Sequence, residues 1–175
     1  MRISPHRPTV RRSAAAGGAR AGERGVSGAS QVAAAVGRGL AAGLGGTAAM
    51  TVSSTLEMRL RGRGSSSAPA DAAAKVLGIE GFADDAAKAR FGTIVHWGYG
   101  TGWGVARALL RLAGLPPATA TAGHFAAVWG SEAAMLPALD VAPPFWTWGA
   151  TEVAIDVWHH VVYVTAAGAA YELLD

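Results

Sequence analysis

The chain has 175 residues, of which 51% are hydrophobic and 15% are charged, and its formal net charge is +3. This length suits one domain, and so apolar a composition favours a membrane protein over a soluble one. Because cysteine is absent, the composition excludes disulfides, thiolate nucleophiles and cysteine-based metal sites.

The first segment, residues 1–31, is rich in arginine, glycine, serine and alanine and shows no hydrophobic periodicity. Seven arginines up to Arg38 are accompanied by one acid, Glu23. We predict a disordered basic arm that lies near anionic lipid. A twin-arginine signal at Arg11 and Arg12 is disfavoured because further charge follows instead of an apolar run. Nucleic-acid binding is disfavoured because no aromatic residue lies among these arginines.

Four apolar stretches follow in residues 32–175, each long enough for the roughly 20 residues of a membrane-crossing helix. These four spans cover approximately residues 33–56, 91–114, 118–139 and 147–174. Short proline-containing connections separate the last three spans, which are therefore predicted to be antiparallel neighbours. The predicted fold class is all-α, an integral membrane four-helix bundle. A soluble alanine-rich helical bundle is the alternative, supported by the modest hydrophobicity of span one.

The longer connection between spans one and two begins with RLRGRGSSSAP and is predicted to lie along the membrane surface. It is expected to be partly helical, with short helices at ADAAAKVLG and DDAAKAR that have Pro69 and Asp84 near their starts. Basic residues number nine on the side that carries both termini and six on the other side. This difference predicts that both termini are cytoplasmic.

Span one carries a stripe of small residues that includes Gly39, Gly43 and Gly46 and ends at Glu57. Membrane helices associate closely through such small residues, so the stripe predicts a helix-packing surface. Glu57 is then either a surface acid or a functional acid that points into the bundle. His96 of span two is predicted to lie toward the same membrane surface as Glu57, where the two side chains can meet.

Span four places its polar residues on an arc of about 100 degrees, which predicts that this arc faces the bundle while valines face lipid. Glu132 lies near the middle of span three, where an ionised side chain is costly unless it is paired or hydrated. The predicted intramembrane polar cluster has eight members: Glu57, His96, Glu132, Glu152, Asp156, His159, His160 and Tyr163.

The chain resembles the YagU-like bacterial inner-membrane proteins, a family without an established biochemical activity. The resemblance rests on Glu57 followed by RLRGR and a proline, on His96, and on the block MLPALDVAPPF leading to ATEVAIDVWHHVVY. In that block Asp156 and His160 are similar to the family's final-span motif. The resemblance implies a multi-pass protein of the bacterial inner (plasma) membrane. Glu132 departs from the pattern, since a histidine is expected at this place.

Three functions are compatible with the polar cluster. The main prediction is a membrane scaffold whose polar groups fix helix register, with the lipid bilayer and a homo-oligomer or another membrane protein as partners. Proton or ion handling, with a response to pH, is the second. The third is a metal-binding protein or enzyme in which Glu57, His96, Asp156 and His160 hold a divalent transition metal such as Zn, Fe or Mn.

The sequence carries no motif for a specific reaction or cofactor. The HExxH motif and the paired ExxH motifs of di-iron bundles are missing, and so are the P-loop, the dinucleotide fingerprint and a serine–histidine–acid order. Catalytic residues and a cofactor therefore stay unassigned, and the sequence favours a protein that is not an enzyme.

Overall fold

The computed structural model describes residues 15–175, with side chains from residue 28 onward. This part of the chain folds into α-helices and one short 3-10 helix at Phe145–Thr147, without a strand. The all-α prediction is therefore confirmed for the described residues. The five α-helices are α1 (Ala15–Arg61), α2 (Ala68–Leu77), α3 (Asp85–Leu112), α4 (Pro117–Ala138) and α5 (Ala150–Leu174).

The four long helices α1, α3, α4 and α5 occur where the four spans are predicted. Proline explains where α4 starts, because Pro117 occupies its first turn, where a proline costs no backbone hydrogen bond. In the described part of the chain, no helix combines the length and the apolar composition that a membrane crossing calls for.

The connection between α1 and α3 contains α2, as the sequence predicts, with Pro69 in its first turn. The second short helix expected there, at DDAAKAR, is not separate. Asp84 caps α3 by accepting a hydrogen bond from the backbone N–H of Ala87 at 2.6 Å, and the helix then continues without a break to Leu112. A change from polar to apolar residues does not interrupt backbone hydrogen bonding, which is why the two segments form one helix.

The N-terminal part of α1 also differs from the prediction. The disordered arm expected for residues 1–31 overlaps α1 from Ala15 onward, while residues 1–14 lie outside the described part. Alanine and arginine are strong helix formers and no proline follows Pro8 in this segment, whereas its glycines oppose a helix. The chain divides into a unit of residues 1–33 and a unit of residues 34–175, and the second unit contains all the sites described below.

Glycines mediate the contacts of α1 with α3 and α5. A Cβ atom at Gly39 would lie 2.5 Å from the carbonyl oxygen of Gly104 on α3, and Gly43 lies against the same stretch of α3. A Cβ atom at Gly46 would lie 2.8 Å from the carbonyl oxygen of Tyr163 on α5. The stripe of small residues thus lies where α1 crosses two other helices at backbone-to-backbone distance.

The structure buries several polar side chains and exposes many large apolar ones. The buried polar side chains are those of Thr47, Arg107, His124, His159 and His160. Large apolar side chains such as Val52, Leu60, Ile94 and Trp158 are more than half exposed. Much of the buried apolar surface belongs to small alanines instead.

Candidate carboxylate–histidine site

Two acids and a histidine meet between α4 and α5. Glu132 lies on α4, and Asp156 and His160 lie one turn apart on α5, which places them on the same face of that helix. The Nε2 atom of His160 is 2.7 Å from Oε2 of Glu132. One possible ligand atom from each side chain lies within 4.8 Å of the other two. We call these three residues the carboxylate–histidine cluster.

Hydrogen bonds from outside the cluster orient its members. The Nδ1 atom of His160 lies 2.9 Å from the backbone carbonyl oxygen of Asp156, and because a carbonyl only accepts, Nδ1 carries the hydrogen. This leaves Nε2 facing Glu132. The indole N–H of Trp129 donates to Oδ2 of Asp156 at 2.8 Å. Trp129 in turn stacks on Phe125, so the donor is itself held in place.

The cluster lies at the edge of the interior. The side chain of His160 is 7% exposed, whereas those of Glu132 and Asp156 are 26% and 24% exposed. Carboxylate oxygens and an imidazole nitrogen on neighbouring helices are the donor types with which helical bundles bind Zn, Fe or Mn. Among the described residues this is the one group of three such side chains with the spacing to hold a metal ion.

The metal set predicted from the sequence is not assembled in the structure. Asp156 and His160 do come together, as their spacing predicts, but their partner is Glu132. His96 instead forms a hydrogen bond of 2.9 Å with the hydroxyl of Thr51. Neither Glu57 nor His96 belongs to a group of three possible ligands within the described residues. Glu57 and His96 thus bind separate partners, and the contact expected between them is not formed.

Glu57 belongs to an ion-pair network at the end of α1. It accepts a hydrogen bond from Arg61 at 3.2 Å and another from Arg63, and Arg61 also donates to Glu152 of α5 at 2.6 Å. The hydrogen bond from Arg63 is the largest cause of the lowered pKa of Glu57, and that from Arg61 acts in the same direction against partial burial. Two nearby arginines thus satisfy Glu57 locally, which explains its absence from the carboxylate–histidine cluster.

The remaining members of the polar arc on α5 connect it to other helices. His159 forms a hydrogen bond of 2.9 Å between its Nδ1 atom and the hydroxyl of Ser53 on α1. Tyr163 is buried and donates its hydroxyl hydrogen to the carbonyl oxygen of Gly100 on α3 at 2.6 Å. Both side chains face the interior, as the arc predicts, and both bind groups on neighbouring helices.

Sequence reasoning missed two contributors to the polar interior. Arg107 is 1% exposed and donates to the Thr121 hydroxyl at 2.9 Å and to Oε1 of Glu172 at 3.0 Å. The signal available in the sequence was an arginine inside an apolar helix, which needs an acid as partner. Trp129 is the second, and its position three residues before Glu132 on α4 placed an indole donor on the same side of the helix.

No family model, curated protein or solved structure matches this chain. The resemblance to the YagU-like proteins therefore stays a prediction.

Proposed function

We propose that this protein is an integral membrane scaffold in which α1, α3, α4 and α5 form a bundle with a polar interior. The observation that carries the proposal is the distribution of side chains, with buried arginine and histidine inside and large apolar residues outside. Polar groups within a bilayer face the bundle and pair with one another, and apolar groups face lipid. In water the same distribution would leave an extended apolar surface exposed.

Exposed apolar residues of α1 form a ridge that winds around the helix. They are Leu40, Leu44, Val52, Leu56 and Leu60, all at least 39% exposed, and each step of four residues turns the ridge by about 40 degrees. Residues 39–56, between Arg38 and Glu57, carry no charge, and at 1.5 Å per residue they extend over about 27 Å, close to the thickness of the bilayer hydrocarbon. The length of this uncharged stretch supports a bilayer crossing by α1.

The interior contacts support a scaffold, because each one fixes two helices relative to one another. The carbonyl oxygen of Trp103 on α3 accepts a hydrogen bond from His124 on α4 at 3.0 Å. Arg107 on α3 pairs with Glu172 on α5. Without water as a competitor, these contacts specify the register of the helices.

The absence of native cysteine allows a direct test with single cysteines. Val52→Cys lies on the ridge and Leu77→Cys lies in α2, and the native side chains are similarly exposed at 69% and 65%. In open membrane fragments, we expect a hydrophilic maleimide to label Leu77→Cys and to leave Val52→Cys unlabelled until the protein is denatured. Equal labelling of both positions, or recovery of the protein in the supernatant after carbonate extraction, would overturn the proposal.

Proton handling is a second candidate, favoured by the environment of His159. Its Nε2 atom is buried, lies 3.8 Å from a Glu57 oxygen, and has no hydrogen-bond partner among the described residues. A histidine in this place can pass a proton between Glu57 and the interior. Reconstituted vesicles should then lose a pH gradient faster with native protein than with Glu57→Gln, and Glu80→Gln in the exposed connection serves as the control. Equal rates for native protein and Glu57→Gln would exclude this role.

A further inference from the structure

We propose that the carboxylate–histidine cluster binds one divalent first-row transition-metal ion, with Glu132, Asp156 and His160 as its protein ligands. The site replaces the ligand set predicted from the sequence and goes beyond the scaffold. It lies within α4 and α5 and does not require that the chain be in a bilayer.

The spacing of the donor atoms fits such an ion. Ligands that each lie 2.0–2.2 Å from a tetrahedral Zn²⁺ are separated from one another by about 3.4 Å. The His160 Nε2 and Glu132 Oε2 atoms are 2.7 Å apart, and all three donor atoms lie within 4.8 Å of one another. Changes of up to about 1.4 Å in the separations between the donor atoms therefore bring all three to bonding distance.

The orientation of His160 suits a metal ligand. Its Nδ1–H group donates to a backbone carbonyl, so Nε2 is the nitrogen that faces a carboxylate oxygen of Glu132. Two acceptor atoms at 2.7 Å repel one another unless a positive centre, either a proton or a metal ion, lies between them. A histidine that donates its other nitrogen to a carbonyl is also the usual arrangement for a metal ligand.

Asp156, the second carboxylate, is also oriented by a hydrogen bond from outside the cluster. The indole N–H of Trp129 holds Oδ2 of Asp156, which leaves Oδ1 for coordination. Carboxylates that ligate metals are commonly fixed by such outer hydrogen bonds. The two carboxylates together balance the charge of a divalent ion, which reduces the cost of placing it in a partly buried site.

The other described histidines lack this combination. His96 and His159 bind hydroxyl groups, and His124 binds a backbone carbonyl. Three protein ligands leave a coordination position of the metal open, and the partial exposure of Glu132 and Asp156 gives water or a small ligand access to it.

The test uses the full chain, purified in detergent and stripped with a chelator. Equilibrium dialysis against Zn²⁺ and against Mn²⁺ should give about one ion per native chain for at least one of the two metals. Glu132→Gln and His160→Gln should weaken binding by 10-fold or more. Glu152→Gln is the matched control, because Glu152 is an acid of the same helix that pairs with Arg61 outside the cluster.

Co²⁺ provides a second measurement that depends only on the native chain. Bound in the cluster, it should show the strong visible absorption of a site with fewer than six ligands, and Zn²⁺ should displace it. If fewer than about 0.1 ion binds per native chain, the cluster is only a proton-bridged ion pair and the proposal is overturned. Native affinity in a folded Glu132→Gln variant would place the ion elsewhere and would overturn it as well. Either failure leaves the membrane placement standing, since that is tested by labelling.

Discussion

Replacing Gly104 by alanine adds one methyl group where α3 crosses α1. A Cβ atom at Gly104 would lie 2.7 Å from both the Cα and the N atoms of Gly43 and closer still to the carbonyl oxygen of Gly39. Carbon atoms in contact normally lie 3.5–4.0 Å apart, so the two helices must separate by about 1 Å. The obstructing atoms belong to the backbone, and no change of rotamer can relieve the contact.

The expected cost is that of forcing a methyl group into a closely packed interface, about 1–3 kcal/mol in the free energy of unfolding. Gly102→Ala is the matched control, because Gly102 lies two residues away on α3 and a Cβ atom there would contact nothing within 4 Å. Alanine is favoured over glycine in a helix by up to about 1 kcal/mol, so this variant should be as stable as the native chain or more stable. Because both variants gain the same helix propensity, they should differ by the packing cost of about 1–3 kcal/mol.

Denaturant unfolding in detergent, followed by the helical circular dichroism signal, measures this difference. Equal unfolding midpoints for Gly104→Ala and Gly102→Ala would refute the close crossing of α1 and α3. The packing role of the stripe formed by Gly39 and Gly43 would then fail as well, because Gly104 is the residue that both contact.

Other changes test the ion pairs and the orientation of the cluster. Glu172→Leu removes the acid that faces buried Arg107, and we expect a loss of about 3 kcal/mol in thermal unfolding experiments, with native stability as the contradicting result. The pKa of Glu57 is lowered, chiefly by Arg63, so its contribution to stability is complete above its ordinary pKa and is lost as the pH falls through the lower folded value. Between pH 6 and pH 3 the melting temperature of native protein should therefore fall more than that of Glu57→Gln, and parallel curves would exclude this contribution. Trp129→Phe removes the hydrogen bond to Asp156 and keeps an aromatic ring beside Phe125, and it should weaken metal binding 10-fold or more in dialysis while the chain still folds.

Helix positions were predictable because they depend on local patterns. The LPP and VAPPF segments bound the last helices, since proline removes a backbone donor and stops a preceding helix. The helix start at Asp84 was also predictable, because an aspartate three residues before the N–H group that it accepts from is a local signal. The continuation of this helix to Leu112 was not predicted, because its first turns are polar whereas the predicted span is apolar.

Partners between helices were less predictable, because helical spacing gives the direction of a side chain but not the helix that it meets. The spacing of Asp156 and His160 placed both on one face. Whether that face met Glu57, His96 or Glu132 depended on the rotation and depth of the neighbouring helices. Local charge is also informative, because Glu57 pairs with two arginines that lie within six residues of it in the chain.

The depth of a residue in the bundle could nevertheless be predicted for α4 and α5, because a short connection joins these two helices. Glu132 lies six residues before the end of α4 at Ala138, and Asp156 lies six residues after the start of α5 at Ala150. At 1.5 Å per residue, both are about 9 Å from the ends of their helices, so antiparallel packing with level ends places them at the same depth. No such count applies to Glu57, because the long connection at residues 62–84 leaves the depth of α1 against α3 unconstrained by the chain. Glu132 is therefore the first ligand to substitute, because the short connection between α4 and α5 keeps it at the depth of Asp156.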